Sequence, residues 1–267
     1  MTRQASDRPV AVAVANSVIA RRIGGRTVLS EARAASPLRL VSPSFPATSS
    51  ASVCLVTFGG GLLDGDAIDV SLSVEEGATL VAFTQASTKV FRGASRQTLT
   101  AHVQGTLVFL PHAVSCFAGA RYTQRIDVRL SGEGSCVVLD AFTSGRPAYG
   151  DRWAMESLDL RTTVSRDGRS LVRDALVLDG DIAARVAPYD ALGTLLAVGP
   201  RVGSVAEGIL ATALVSPAAV AAPSPLAGGD GALCRIAART PEALFAEARR
   251  RLRNLPDIDA VDPFPPS

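Results

Sequence analysis

Ile68-Asp-Val-Ser-Leu-Ser-Val74 alternates apolar and polar residues, Glu75-Glu-Gly77 turns, and Ala78-Thr-Leu-Val-Ala-Phe83 returns as a mostly apolar run. Period-two alternation places Ile68, Val70, Leu72 and Val74 on one face of a strand. The same pattern is then written again. Thr98-Leu-Thr-Ala-His-Val103 turns at Gln104-Gly105 into Thr106-Leu-Val-Phe-Leu110, and Arg125-Ile-Asp-Val-Arg-Leu130 turns through Ser131-Gly-Glu-Gly134 into Ser135-Cys-Val-Val-Leu139. A fourth copy runs from Leu158-Asp-Leu-Arg-Thr-Thr-Val164 through Arg166-Asp-Gly168 to Ser170-Leu-Val-Arg-Asp-Ala-Leu-Val-Leu178. The turn glycines fall at 77, 105, 134 and 168, in steps of 28, 29 and 34 residues. A hairpin-like unit at near-constant period, unable to bury its apolar face alone, is the signature of stacked β-coils around one continuous core. The fold expected is therefore mainly β, a stacked β-coil or β-helix-like scaffold with one or two C-terminal α-helices.

Outward from the repeat, Ser17-Val-Ile-Ala-Arg-Arg-Ile23 and Arg26-Thr-Val-Leu29 read as a strand pair turning at Gly24-Gly25. Ser36–Pro46 carries three prolines and suits an extended edge rather than a central strand. Val53-Cys-Leu-Val-Thr-Phe58 is a short buried strand, followed by the loop Gly59-Gly-Gly-Leu-Leu-Asp-Gly-Asp66. Beyond 180, Ala191–Val198 reads as a strand and Val202–Leu214 as a short packed helix. Thr240-Pro241-Glu242 caps the clearest helix, Ala243–Arg253, whose last turns carry arginines where the helix dipole favours them. Residues 1–9 are expected to be flexible, 10–255 one domain, and 256–267, with four prolines and three aspartates, a disordered tail.

At 267 residues the chain is long enough to bury about 70–75% of its unfolded surface. Its formal charge of +2 is too small, and its charges too interspersed, to imply nucleic acid or a membrane surface as partner. Four cysteines without C-x-x-C spacing read as reduced, buried thiols, and two histidines are too few for an all-histidine metal cage. No apolar run approaches the ~18–20 residues of a spanning helix. The Val/Ala alternation of Val10–Ala20, followed by Arg21-Arg22, suits a strand better than an export signal.

No phosphate-cradling glycine motif and no Gly-x-Ser-x-Gly is present, and His112, after Leu110-Pro111, reads as a loop histidine. The carboxylates carry more information. Asp140 closes the apolar run 137–139 and Asp174 interrupts Leu171-Val-Arg-Asp-Ala-Leu176; an acid so embedded must be paired, protonated or bound to a cation. Arg146 and Arg173 are the nearby arginines available for salt bridges. Lys89, in Thr84-Gln-Ala-Ser-Thr-Lys-Val-Phe-Arg92, is the only lysine in a chain that otherwise writes arginine, which is either codon habit or a local need for a compact ammonium.

Thr84-Gln-Ala-Ser-Thr-Lys-Val-Phe-Arg92 resembles the T-Q-A-[AS]-[ST]-K-[VI]-[YF]-R signature of the UreD (UreH) family of urease accessory proteins. Gly60-Gly-Leu-Leu-Asp-Gly-Asp66 resembles that family's G-G-x-x-x-G-D, and Leu110–Gln124 resembles its L-P-x-P-V-x-x-F-x-x-A-x-[YF]-x-Q, with His112-Ala113 where a polar residue and proline are usual. Asp140-Ala-Phe-Thr-Ser-Gly-Arg146 with Gly150-Asp-Arg-Trp153 resembles its [WD]-x-x-[TS]-x-G-R…G-E-x-[WF], with Asp151 for the more common Glu. Gly25–Leu29 and Ser36–Leu40 fit as well, so the likeness runs from about residue 17 to the C-terminal helix.

The resemblance implies a cytoplasmic accessory protein, not an enzyme. It would bind the urease apoprotein and recruit UreF and the GTPase UreG for nickel insertion, with nickel in transit and no permanently bound cofactor. It implies an internal passage in which Asp66, Asp140 and Asp174 act as way-stations and Thr84 and Gln85 supply neutral oxygens. Lys89 and Arg92 anchor the loop or pair with those acids, and the C-terminal helix, with Phe245, Arg249 and Arg253, faces UreF. The competing expectation is a β-solenoid carbohydrate-active enzyme using paired acids drawn from Asp64, Asp66 and Asp140; few aromatics argue against it.

Overall fold

The computed structural model describes residues 16–45 and 48–264. The expectations for residues 1–9, and for the Val10–Ala20 stretch before residue 16, lie outside the described residues. β1 (Asn16–Ile23) and β2 (Arg26–Arg33) form the hairpin expected at Gly24-Gly25, and β3 (Leu38–Val41), between prolines, pairs along one side with β4 (Ala51–Thr57). The repeat follows as β5 (Ala67–Val74), β6 (Thr79–Thr84), β7 (Thr88–Val90), β8 (Gly93–Val103), β9 (Thr106–Leu110), β10 (Val114–Cys116), β11 (Ala120–Leu130) and β12 (Ser135–Thr143). β13 (Ser157–Arg166), β14 (Arg169–Asp179), α1 (Ile182–Val186), β15 (Ala191–Val198), α2 (Gly203–Ile209), β16 (Leu214–Val215), β17 (Ala219–Pro225), β18 (Gly231–Ala238) and α3 (Pro241–Arg251) complete the chain.

The units are coils rather than hairpins: the two halves of a unit do not pair with each other. β5, β8 and β11 lie side by side in parallel in one sheet, while β6, β9 and β12 do the same in a second sheet stacked on the first. The fourth unit departs from this pattern. Its halves, β13 and β14, form an antiparallel hairpin wholly within the first sheet, and the second sheet continues instead through antiparallel β15 and β18. The first sheet therefore runs β14-β13-β11-β8-β5-β1-β2, and the second β16-β17-β18-β15-β12-β9-β6-β4-β3.

Hydropathy explains which half goes where. β5 alternates buried and half-exposed positions because its outer face meets water, whereas all five residues of β9 are buried. Between the sheets lies one core that includes Val18, Leu72, Leu80, Leu107, Val128 and Leu158. A second core forms where Val81, Val108 and Val137, on the back of the second sheet, meet Val205 and Ile209 of α2 and Leu244 and Ala248 of α3. Each such aliphatic side chain contributes roughly 1.5–3 kcal/mol on burial. Arg251, with no exposed surface, ties α3 to α2: it donates to Glu247 one turn back and to the carbonyls of Ile209 (2.6 Å), Ala211 (3.0 Å) and Thr212 (3.1 Å).

The segment after α3 differs from the disordered tail expected. Leu255, Ala260 and Phe264 are buried in the second core, Asp259 accepts from the Ser49 backbone N–H at 3.0 Å, and Asp262 pairs with Arg249 at 2.7 Å. Three spaced apolar anchors suffice to hold a proline-rich stretch whose average composition reads as unstructured.

Successive coils are held so closely at their turns that a side chain has no room. Thr106 N–H donates to the Ala78 carbonyl at 2.8 Å and Ser135 N–H to the Gly105 carbonyl at 2.9 Å, and a Cβ on Gly105 would lie 2.2 Å from the Ala78 oxygen. Gly105→Ala is thus expected to destabilise the fold by roughly 1–3 kcal/mol or more. Gly203→Ala, where a helical glycine faces open space, should be neutral or stabilise by about 0.5–1 kcal/mol, both read by thermal unfolding.

Candidate functional site

The motif-bearing loops stack on one another as the coils do. Leu62 N–H donates to the Lys89 carbonyl (2.8 Å) and Phe91 N–H to the Leu62 carbonyl (2.9 Å); β7 in turn pairs with β10, and β10 with β12. Gly61, at φ +150°, passes so near β7 that a Cβ would stand 2.4 Å from the Lys89 oxygen. The acids of this loop bond to backbone, one within the loop and one to the start of β8. Asp66 Oδ2 accepts from Leu63 N–H and Asp64 Oδ1 from Ala94 N–H, each at 2.7 Å.

Inside these loops, between the sheets, lies a cavity of about 210 Å³. Thr84, Gln85, Thr88 and Lys89 line it on the loop side, Ile68, Leu99, Phe109 and Ile126 form apolar wall, and Gln97, Gln124 and Asp140 supply polar groups. His112 closes one side: its N–H donates to Thr84 Oγ1 (2.8 Å) and its ring Nδ1 to the Thr84 carbonyl (2.9 Å). The same ring packs against Phe245 and Phe264, so the C-terminal helix and tail reach the cavity wall.

Asp140 also borders a second cavity of about 20 Å³, together with Thr162, Asp174 and Thr194. That space is of the order of a single water. Strand register assembles the quartet. Asp140 sits opposite Thr194 on β12 and β15, and Thr162 opposite Asp174 on β13 and β14. The hydrogen bonds then cross between sheets: Thr162 donates to Asp140 Oδ2 (3.2 Å) and Thr194 to Asp174 Oδ2 (3.1 Å). Gln124 Nε2 donates to Asp140 Oδ1 at 2.7 Å, and its own carbonyl oxygen lies 3.0 Å from the buried Tyr122 hydroxyl. Asp174 completes its shell with Arg235 of β18 at 2.5 Å.

Burial pushes the Asp140 carboxyl up to about 6; the Gln124 and Thr162 hydrogen bonds pull it back, and the Asp174 charge adds a smaller upward push. Burial likewise drives the Tyr122 phenol well above its usual range. Two carboxylates and two hydroxyls around a water-sized space are oxygen donors of the kind that could hold a divalent cation weakly, and a cation there would relieve the cost of the buried charge.

The quartet brings together Asp140 and Asp174, and the larger cavity collects Thr84, Gln85 and Lys89. Asp66 borders neither cavity, because the Leu63 N–H ties its carboxylate into the loop turn. The expected arginine partners also differ: Arg146 pairs with Asp151, Arg173 donates to Ser170, and Asp140 is met by an amide and a hydroxyl. Arg92 lies over Gly119 rather than beside an acid of the quartet. Phe245 and Arg249 are engaged by the tail, while Arg253 is exposed. Gln97, Thr162 and Thr194 were not singled out in the sequence, and Gln124 only as the end of a family motif, yet each stands at an inward position of a strand whose other inward residues are mostly apolar.

A raised carboxyl pKa means the native state binds the Asp140 proton more tightly than the unfolded chain does. Its cost to stability is absent below the unfolded value of 3.8, grows as pH rises, and is complete above about 6, where it amounts to about 3 kcal/mol. Asp140→Asn, whose amide can keep both hydrogen bonds, should gain about 2 kcal/mol more over the parent at pH 7.5 than at pH 4.5, measured by chemical denaturation at each pH.

The profile of the family described as UreD urease accessory protein matches residues 12–259. A urease accessory protein UreD of Sorangium cellulosum is 44% identical over 253 residues, covering 91% of this chain and 80% of that protein. One from Anaeromyxobacter is 38% identical over 257 residues, covering 91% and 86%. The urease accessory protein D of Arabidopsis thaliana is 31% identical over 202 residues, covering 70% and 69%.

Proposed function

Because this chain belongs to the UreD family of urease accessory proteins, non-catalytic factors in urease maturation, we propose that its interior is the path by which nickel moves toward the urease active site. The observation that carries this reading is the position of Asp140, a half-buried carboxylate that meets no guanidinium among the described residues, shared by the large cavity and the small oxygen-lined one. Nickel enters the larger cavity past Thr84, Gln85 and Lys89, meets Asp140, and passes to Asp174 through the space flanked by Thr162 and Thr194. An oxygen set holds such an ion less firmly than thiolates or imidazoles would, which suits cargo that must be released. The family match sets aside the carbohydrate-enzyme reading, and Asp64 and Asp66 are each bonded to backbone, Asp66 within its loop and Asp64 to Ala94 of β8.

The partners that follow from family membership are the urease apoprotein, UreF and the GTPase UreG, met in the cytoplasm. Among the described residues, no helix is long and apolar enough to cross a membrane. Arg253, exposed two residues past α3, is the contact best placed for a partner, with Phe245 and Arg249 acting through the tail they hold. Asp66 supports the loop at the cavity rim rather than the ion.

A tagged copy co-expressed with the urease subunits, with and without UreF and UreG, tests this. The parent should retain urease and be required for activation. Asp140→Asn and Asp174→Asn should retain urease while lowering nickel-dependent activation by about 10–100-fold. Intact activation in both variants would sink the passage, and failure to capture urease would sink the accessory role of the chain itself.

A further inference from the structure

We propose that Arg235 is a latch on the outer end of the quartet: its guanidinium occupies the cation's place beside Asp174 and must leave before an ion can bind there or pass. The inference rests on the passage reading above and adds to it a gate and a direction.

Geometry sets this ion pair apart from others in the fold. Arg96 pairs with Asp69, and Arg125 with Asp159, between neighbouring strands on the outer face of the first sheet. Arg235 instead reaches from β18 in the second sheet to Asp174 on β14 in the first, spanning the open end of the sandwich. It arrives there by register, since β18 sets Arg235 opposite Thr194, the residue that donates to the other oxygen of Asp174. The two partners have unequal surroundings. The Arg235 side chain is 65% exposed and that of Asp174 only 15%. Departure of the guanidinium therefore moves it into water, where it is well solvated, and leaves behind a mostly buried carboxylate in need of a positive charge.

Charge balance along the quartet makes the exchange directional. Asp140, at the inner end, has only neutral donors among the described residues, so an ion arriving there meets an uncompensated carboxylate. Asp174, at the outer end, is already neutralised. An ion moving outward gains Asp174 only by displacing Arg235, and once the latch has swung out the repulsion between the two cations opposes its return.

The test uses the full chain, freed of any affinity tag, with Ni²⁺ as the probe. Binding is followed by calorimetry and by paramagnetic broadening of amide signals around Asp174, which reports weak binding. Arg235→Gln should bind Ni²⁺ roughly three- to tenfold more tightly than the parent, the scale of a partly exposed ion pair. Arg235→Lys, which keeps the charge, should stay close to the parent, and Asp174→Asn should abolish the gain when combined with Arg235→Gln. Ni²⁺ should also raise the unfolding temperature of Arg235→Gln more than that of the parent, a readout that any general loss of stability leaves unmoved. If Asp174→Asn weakens binding but Arg235→Gln leaves it unchanged, the latch is wrong and the passage stands. If neither Asp140→Asn nor Asp174→Asn alters Ni²⁺ binding, the passage is wrong and the latch falls with it.

Discussion

Contact at hydrogen-bonding distance between consecutive coils is the constraint on which the molecule depends. Once Thr106 N–H bonds to Ala78 and Ser135 N–H to Gly105, residues about one coil apart in sequence become neighbours in space. Leu62 pairs with Val90, Cys116 also pairs with Val90, and Val114 with both Thr88 and Phe142. The stretches that carry the family likeness, around 60–66, 84–92, 110–124 and 140–153, are thus the same corner of successive coils. Their spacing in the chain and their convergence around one cavity have a single cause.

The interior chemistry follows from where this stacking ends. Parallel strands, β1, β5, β8, β11 and β13 in the first sheet and β4, β6, β9 and β12 in the second, fill the space between them with aliphatic side chains. At the end where β13, β14 and β15 replace the repeat, antiparallel pairing brings threonine and aspartate side by side in each sheet. Facing one another, the two pairs satisfy each other's acids, and among the described residues no arginine meets Asp140. A carboxylate kept partly unsatisfied inside a stable sandwich is costly, and the surrounding apolar core is large enough to bear that cost.

The coil architecture was legible because period-two alternation, a glycine turn and a fixed repeat length all report local geometry. What alternation cannot report is pairing across space, so a unit that reads as a hairpin proved to be two strands in different sheets, while the fourth, with the same pattern, is a true hairpin. Asp140 and Asp174 announced themselves as acids among apolar residues. Asp66 did not differ from them in the resemblance, but its neighbour Leu63 supplies an N–H that holds it in the loop. Arg235 was invisible as a partner for Asp174 because 61 residues separate the two and only the order of strands in the second sheet brings them together. The packed tail was missed for a related reason: average composition weighs its prolines and aspartates, whereas three anchors decide its placement.

The break in the repeat between β12 and β13 has an evolutionary consequence. Within the coils, adding or deleting a residue would shift every later strand by one position, turning its inward side chains outward and pulling the corner loops out of line. The stretch from Ser144 to Glu156, between the last coil and the hairpin, keeps that register too, since Gly119 N–H donates to the Ala154 carbonyl and Glu156 N–H to the Ala120 carbonyl, each at 2.9 Å. Among relatives, changes in chain length should therefore gather beyond β15, and the distance from the cavity rim to Asp140 should be conserved even where sequence identity is not. The molecule can lengthen its surroundings freely, but its interior only by whole coils.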